Sequence, residues 1–181
     1  MAAYCRMLSD PPRIENRDDL HAIERAGPAR WMPFDNVFDA LADVAARHAQ
    51  RIALTALAHA HDAQPRRWTY AQLIDEIARG ARLLRSIVGV DDEPQGALLW
   101  PPLPEAWFAL WAAEAAGVAV PINHALSDDH LLALLKAARV NVIVTLAPGH
   151  TAGDIGARVM RLRSQLPGLR PVLTVGAPAA D

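Results

Sequence analysis

The stretch Trp100–Asn123, WPPLPEAWFALWAAEAAGVAVPIN, decides the fold. GALLW (Gly96–Trp100) leads into it as a short apolar run bounded by turn residues, the pattern of a buried strand. Pro104 and Glu105 suit the first turn of a helix, because proline lacks an amide that needs a partner and the carboxylate meets the positive end of the helix dipole. From there to Ala116 the chain is apolar nearly all round, which predicts a buried helix rather than one lying on the surface. Gly117 ends it, and VAVPI (Val118–Ile122) follows as a second strand. A strand, a crossover helix and another strand make the unit from which parallel sheets are built.

Reading outward toward the C terminus, Ser127, Asp128 and Asp129 open another helix with Leu131, Leu135 and Ala138 along one face. VNVIVTLA (Val140–Ala147) is a β-branched strand, and an amphipathic stretch from about Thr151 to Gln165 leads to the strand PVLTV (Pro171–Val175). Toward the N terminus, Thr69 and Gln72 form a capping-box pair. The helix behind them turns Leu73, Ile74, Ile77, Ala81 and Leu84 inward and keeps Asp75, Arg79 and Arg82 on its wet face at pairing distance. Gly89 is its stop. IALTALA (Ile52–Ala58) reads as a strand followed by the loop HAHDAQP. The stripe Val37, Leu41, Val44 and His48 predicts a helix from Asn36 to about Gln50. Pro11, Pro12, Pro28 and Pro33 mark a turn-prone arm with a short helix near Asp18–Arg25. Strands apolar on both faces, alternating with helices, define an α/β fold: a parallel sheet covered by helices on both faces. The expected organisation is an arm over 1–35, an α/β domain over 36–176 and a tail over 177–181.

Composition narrows the function classes. A chain of 181 residues fits one domain with a lead-in arm, and its 52% apolar share excludes a disordered chain. Net charge is 18 − 20 = −2 without a long run of either sign, so there is no electrostatic footprint for nucleic acid or anionic lipid. The single cysteine, Cys5, cannot form an internal disulfide, which fits a reducing compartment. The start MAAYCRMLSDPPR lacks an apolar signal core, and no uncharged run reaches the ~18 residues of a membrane span. A soluble cytoplasmic protein is expected. Lys136 is the only lysine, although many phosphate-handling sites rely on one.

Three segments carry a family resemblance. RWTYAQL resembles the early "TY-x-EL" element of adenylate-forming enzymes, with Gln72 where glutamate is commonest. LWPPLPEAWFALWAAEAAGVAVPIN resembles their strand–"P-N-x-P-E"–helix–"G-x-x-x-P-x-N" element, and SDDHLLALLKAARVNVIVTLAP the helix and strand that follow. Order and spacing agree across residues 36–148. Pro102 stands where asparagine is usual, and His124 where proline commonly follows Asn123. The chain is thus similar to the N-terminal part of an AMP-dependent acyl-CoA synthetase, with the Trp/Ala-rich segment most like fatty- or medium-chain members. In a complete relative the resemblance implies activation of a carboxylic acid with ATP and magnesium, release of pyrophosphate, and transfer of the acyl group to coenzyme A. That chemistry needs a Ser/Thr/Gly-rich loop ending in lysine ("T-S-G-T-T-G-x-P-K"), whose amides and hydroxyls grip the phosphates, and a mobile C-terminal domain with a catalytic lysine. Neither occurs before Asp181. The resemblance therefore implies a domain that is incomplete over 36–176, inactive alone and binding no cofactor by itself. Its partners would be a complementing C-terminal synthetase portion or further copies of itself.

Other constellations each have a simpler reading. PGHTAGDIG (Pro148–Gly156) follows a strand and precedes a helix, the context of an anion site, but its glycine spacing matches no phosphate-loop motif. It reads as an ordinary connection. His59, His61 and Asp62 lack a distant pair that would complete a metal set. Asp128, Asp129 and His130 resemble acid-base groups, but acids in a first helical turn answer the helix dipole. Trp100, Trp107 and Trp111 could line an acyl or base pocket; Trp107 and Trp111, four residues apart, share a helix face and are expected in the core. Arg158, Arg161 and Arg163 read as a wet helix face, and Cys5 has no partner that would activate it. No catalytic, cofactor-binding or metal residue is assigned. A non-catalytic binding module derived from the same fold is the alternative, disfavoured because VNVIVTLA and PVLTV carry no charge. An unrelated small enzyme ranks last, since no nucleophile–base–orienter set is visible.

Overall fold

The computed structural model describes residues 13–27, 34–57, 64–149 and 154–176. Helix α1 (Arg17–Ala26) opens on a reciprocal cap: the Asn16 side chain accepts from the Asp18 and Asp19 amides, and the Asp19 carboxylate accepts from the Asn16 amide. None of its residues is buried. Helix α2 (Val37–His48) is capped by Asn36. Its inward face is turned from the expected stripe: Ala45 is the buried residue, while Val37 and His48 are exposed.

Strand β1 (Ile52–Ala56) pairs antiparallel with β2 (Arg66–Thr69), with a bulge between Ile52 and Leu54. This hairpin stands outside the parallel sheet, so the first expected strand is correct as a strand and displaced in topology. The two central strands of the parallel layer, β3 (Gln95–Leu99) and β5 (Val142–Leu146), are buried on both faces, whereas β1 is half-exposed along its length. Thr69 then caps α3 (Tyr70–Val88). Its hydroxyl accepts from the Gln72 amide at 3.3 Å, and its own amide donates to Gln72 Oε1 at 2.9 Å. Leu73, Ile77, Leu84 and Val88 are buried. Asp75, Arg79 and Arg82 are exposed as expected, although Arg79 pairs with Glu76 rather than Asp75.

The remaining elements are β3 (Gln95–Leu99), α4 (Pro104–Ala116), β4 (Val118–Pro121), α5 (Asp128–Ala137), β5 (Val142–Leu146), α6 (Ile155–Leu162) with a 3-10 turn at Arg163–Gln165, and β6 (Val172–Val175). The four strands form a parallel sheet in the order β4-β3-β5-β6. Its two faces bury different side chains of the same strands, as the period of two requires. Ala97, Leu99 and Ile143 pack with Leu131 and Leu135 of α5 and Val159 and Leu162 of α6. Leu98, Val142 and Val144 pack with Leu84 and Val88 of α3 and the alanines of α4. Helices therefore cover both faces, as the sequence predicts. The buried Thr145 hydroxyl is satisfied by the Leu99 carbonyl at 2.9 Å. At the amino end of the sheet, the Asn141 side chain accepts from the Gln95 amide at 2.8 Å and donates to the Glu93 carbonyl at 2.9 Å.

Candidate functional site at the carboxyl end of the sheet

Because all four strands run the same way, their carboxyl ends share one edge of the molecule, the edge where open α/β sheets place ligands. Trp100–Pro102 leave β3 there, and Ile122 and Asn123 leave β4. Between them lies a cavity of about 380 Å³, walled by Trp100, Pro101, Pro102, Trp107, Ile122 and Asn123 among others. A second hollow of about 790 Å³ lies between the β1–β2 hairpin, the start of α4 and the end of β6, and Pro102 and Trp107 border both.

The placement of Trp107 corrects the expectation of core burial. Its side of α4 faces outward and the residue is 46% exposed, with Trp111 partly buried beside it at 5.8 Å between ring centroids. The physical reason is size. Helix α4 is apolar on all sides, so hydropathy does not choose its inner face; close packing does. A Cβ added at Gly80 of α3 would stand 2.7 Å from the Ala112 Cβ, and one at Gly96 of β3 would stand 3.2 Å from the Ala113 Cβ. Only alanines fit that interface, so the large rings are left on the other side. Trp100 is partly buried and packs against both core clusters while it lines the cavity.

The hairpin is tied to α4 by a short stack. The Arg66 guanidinium lies 4.7 Å from the Trp68 ring centre and donates through both terminal nitrogens to Glu105 Oε1 at 3.3 Å. Trp68 meets Phe108 edge-on at 5.4 Å. Glu105 thus answers the α4 dipole, as expected, and also holds β2.

Asp128 and Asp129 occupy the first turn of α5 behind the Ser127 cap, in agreement with the dipole reading. Arg158 departs from its expectation. Arg161 and Arg163 are exposed, but the Arg158 side chain is only 18% exposed and is engaged with Asp128 and with backbone carbonyls of the β4–α5 connection. Periodicity places residue 158 on α6 without showing that the connection folds over it. Of Pro148–Gly156, residues 150–153 lie outside the described residues. At Gly156 a Cβ would stand 2.1 Å from the Leu146 carbonyl oxygen, so this glycine serves close packing of α6 on β5. Cys5, His59, His61 and Asp62 also lie outside the described residues. Among the described residues no three His, Cys, Asp or Glu side chains gather as a metal site, and no helix is long and apolar enough to cross a membrane. What this edge offers is apolar walls, one neutralised Arg–Glu pair and the Asn123 carboxamide, a surface that can seat an apolar group.

Residues 41–180 match the family described as AMP-binding enzyme, which is most of the chain. The chain belongs to that family. It is 25% identical over 177 residues to a marinolic acid–CoA ligase of Pseudoalteromonas sp. (strain SANK 73390), covering 97% of this chain and 27% of the relative. Among solved structures it resembles the acetoacetyl-CoA synthetase of Streptomyces lividans (26% identity, TM-score 0.66, 81% of this chain and 23% of that one). It also shares the fold of a Mycobacterium tuberculosis fatty acyl CoA synthetase (22% identity, TM-score 0.60, 77% and 26%). The chain spans about a quarter of the length of these proteins, and the resemblance to adenylate-forming CoA ligases, expected from RWTYAQL and the segments that follow, is correct.

Proposed function

We propose that this chain is the N-terminal scaffold of an AMP-forming acyl-CoA ligase, acting on a carboxylic acid of the fatty-acid class. Complete relatives of the proposed kind convert the acid, ATP and coenzyme A to acyl-CoA, AMP and pyrophosphate, with magnesium. The observation that carries the reading is the family match over 41–180 together with coverage of only 27% of the curated ligase. No Ser/Thr/Gly-rich loop ending in lysine occurs in the 181 residues, and the only lysine, Lys136, lies on the exposed side of α5. By this reading the chain does not form an adenylate alone. It supplies the sheet whose carboxyl end faces the active site, and a complementing synthetase portion brings the phosphate loop and the catalytic lysine. A cytoplasmic location accords with the reducing compartment that its lone cysteine suits.

The test is acid-dependent exchange of pyrophosphate into ATP, measured on the chain alone and after co-expression with the remaining portion of an acyl-CoA ligase of this family. Alone, no exchange above background is expected with acetate, octanoate or palmitate; with the remaining portion, exchange is expected. Robust exchange by the chain alone would overturn the reading.

A further inference from the structure

Arg158 stands on α6, close behind Gly156, and its guanidinium is directed at a single segment. One terminal nitrogen donates to the His124 carbonyl at 2.6 Å, the other to the Leu126 carbonyl, and Nε to the Asp128 carboxylate. Two of the acceptors belong to the connection between β4 and α5, and the third, Asp128, is the first residue of α5. Burying a cation is costly unless its donors are satisfied, and here all three nitrogens are. The planar fork also matters. It reaches three acceptors in fixed directions at once, whereas a lysine places one compact ammonium on one part of that arc.

The same connection carries Asn123. Its Oδ1 accepts from the Ala125 amide at 2.9 Å, and the residue lines the cavity together with Trp100 and Trp107. At the other end of the chain of contacts, the Gly156 contact seats α6 directly on the end of β5, so the helix that bears Arg158 has little freedom to slide. We infer that Arg158 is a positioning residue of the carboxyl-end site: it transmits the fixed place of α6 to the β4–α5 connection and so holds Ile122 and Asn123 as one wall of the cavity. The inference rests on reading this edge as the face the ligase site uses. Its test needs no ligase activity.

The experiment is residue-resolved amide hydrogen exchange on the full chain, comparing wild type with Arg158→Met and Arg158→Lys. In Arg158→Met the Ala125 amide, which closes the Asn123 turn, should exchange about ten- to a hundredfold faster, the loss expected when charge-assisted hydrogen bonds are removed. The amides of Ile143 and Thr145 in β5 should keep their wild-type rates. Arg158→Lys should fall between. An unchanged Ala125 rate in Arg158→Met would overturn the inference, and so would an equal rise at Ala125, Ile143 and Thr145, which marks general loosening. A wild-type Ala125 rate in Arg158→Lys would refute the role of the fork. Should the methionine variant fail to fold, the lysine variant still decides. Failure of exchange activity after co-expression would leave these amide rates untouched, so this inference and the ligase reading fail separately.

Discussion

A methyl group at position 156 would stand 2.1 Å from the Leu146 carbonyl oxygen and 2.9 Å from the Pro148 nitrogen, both backbone atoms that no rotamer change can move. Intrinsic helix propensity favours alanine over glycine by about 1 kcal/mol. Overpacking against a fixed neighbour costs about 1–3 kcal/mol. The contact wins because α6 would have to lift off β5. Gly156→Ala should therefore lower the denaturation midpoint, and an unchanged or higher midpoint would show that the helix is free to shift. Thr69 makes a milder case. Its hydroxyl serves the Gln72 amide at the start of α3, so Thr69→Ala should cost about 1 kcal/mol while Thr69→Ser stays close to wild type. Urea titration of the two variants separates loss of the hydroxyl from loss of the methyl group.

At the scale of elements, helices and strands were legible wherever two signals agreed. The Thr69–Gln72 cap, the Ser127 cap and the uncharged run at Val142–Leu146 are each marked by residue type and by period, and each occurs where the sequence places it. Helix α4 shows where that legibility stops. Pro104 and Gly117 mark its ends, but its inner face is set by the fit of Ala112, Ala113 and Ala116 against α3 and the sheet, which is a tertiary property. The cavity wall was hidden for the same reason, since Trp107 lies outward only because the alanines lie inward. Strand β2 was missed because Arg66 and Arg67 carry no strand signal of their own; they pair because the hairpin folds back on Leu54–Ala56. The inverted face of α4 has a measurable consequence. Trp107→Ala should change stability by no more than about 0.5–1 kcal/mol, as for an exposed side chain. Ala113→Leu, at a site with no exposure, should cost about 1–3 kcal/mol. The opposite order in thermal melts would place the tryptophan in the core.

For the whole molecule, the two edges of the sheet differ. Strand β4 ends on Pro121, which has no amide to offer a further strand. Strand β6 is Val-Leu-Thr-Val, without proline or charge. The Val175 carbonyl accepts from the Ala147 amide at 3.0 Å, so Leu173 and Val175 turn their backbone groups toward β5, and Val172 and Thr174 turn theirs outward. An uncharged strand with outward-facing amides is a template for another chain. Trp107 at 46% exposed and Leu57 at 61% add apolar surface near the carboxyl end of the same strand. Among the described residues β6 is an edge strand, and exposed in that way it should drive association between copies. Sedimentation velocity should therefore show the average mass rising with protein concentration. Thr174→Lys adds a charge to an exposed side chain of the edge strand without altering the β5–β6 ladder, and it should reduce that association while leaving the melting temperature near wild type. A wild-type chain that stays monomeric at high concentration, with a sharp melt, would mean that the β6 edge is protected by means other than its own residues. Association that persists undiminished in Thr174→Lys would move the contact away from β6, to the Trp107 face, where Trp107→Lys is the variant that should then disperse it.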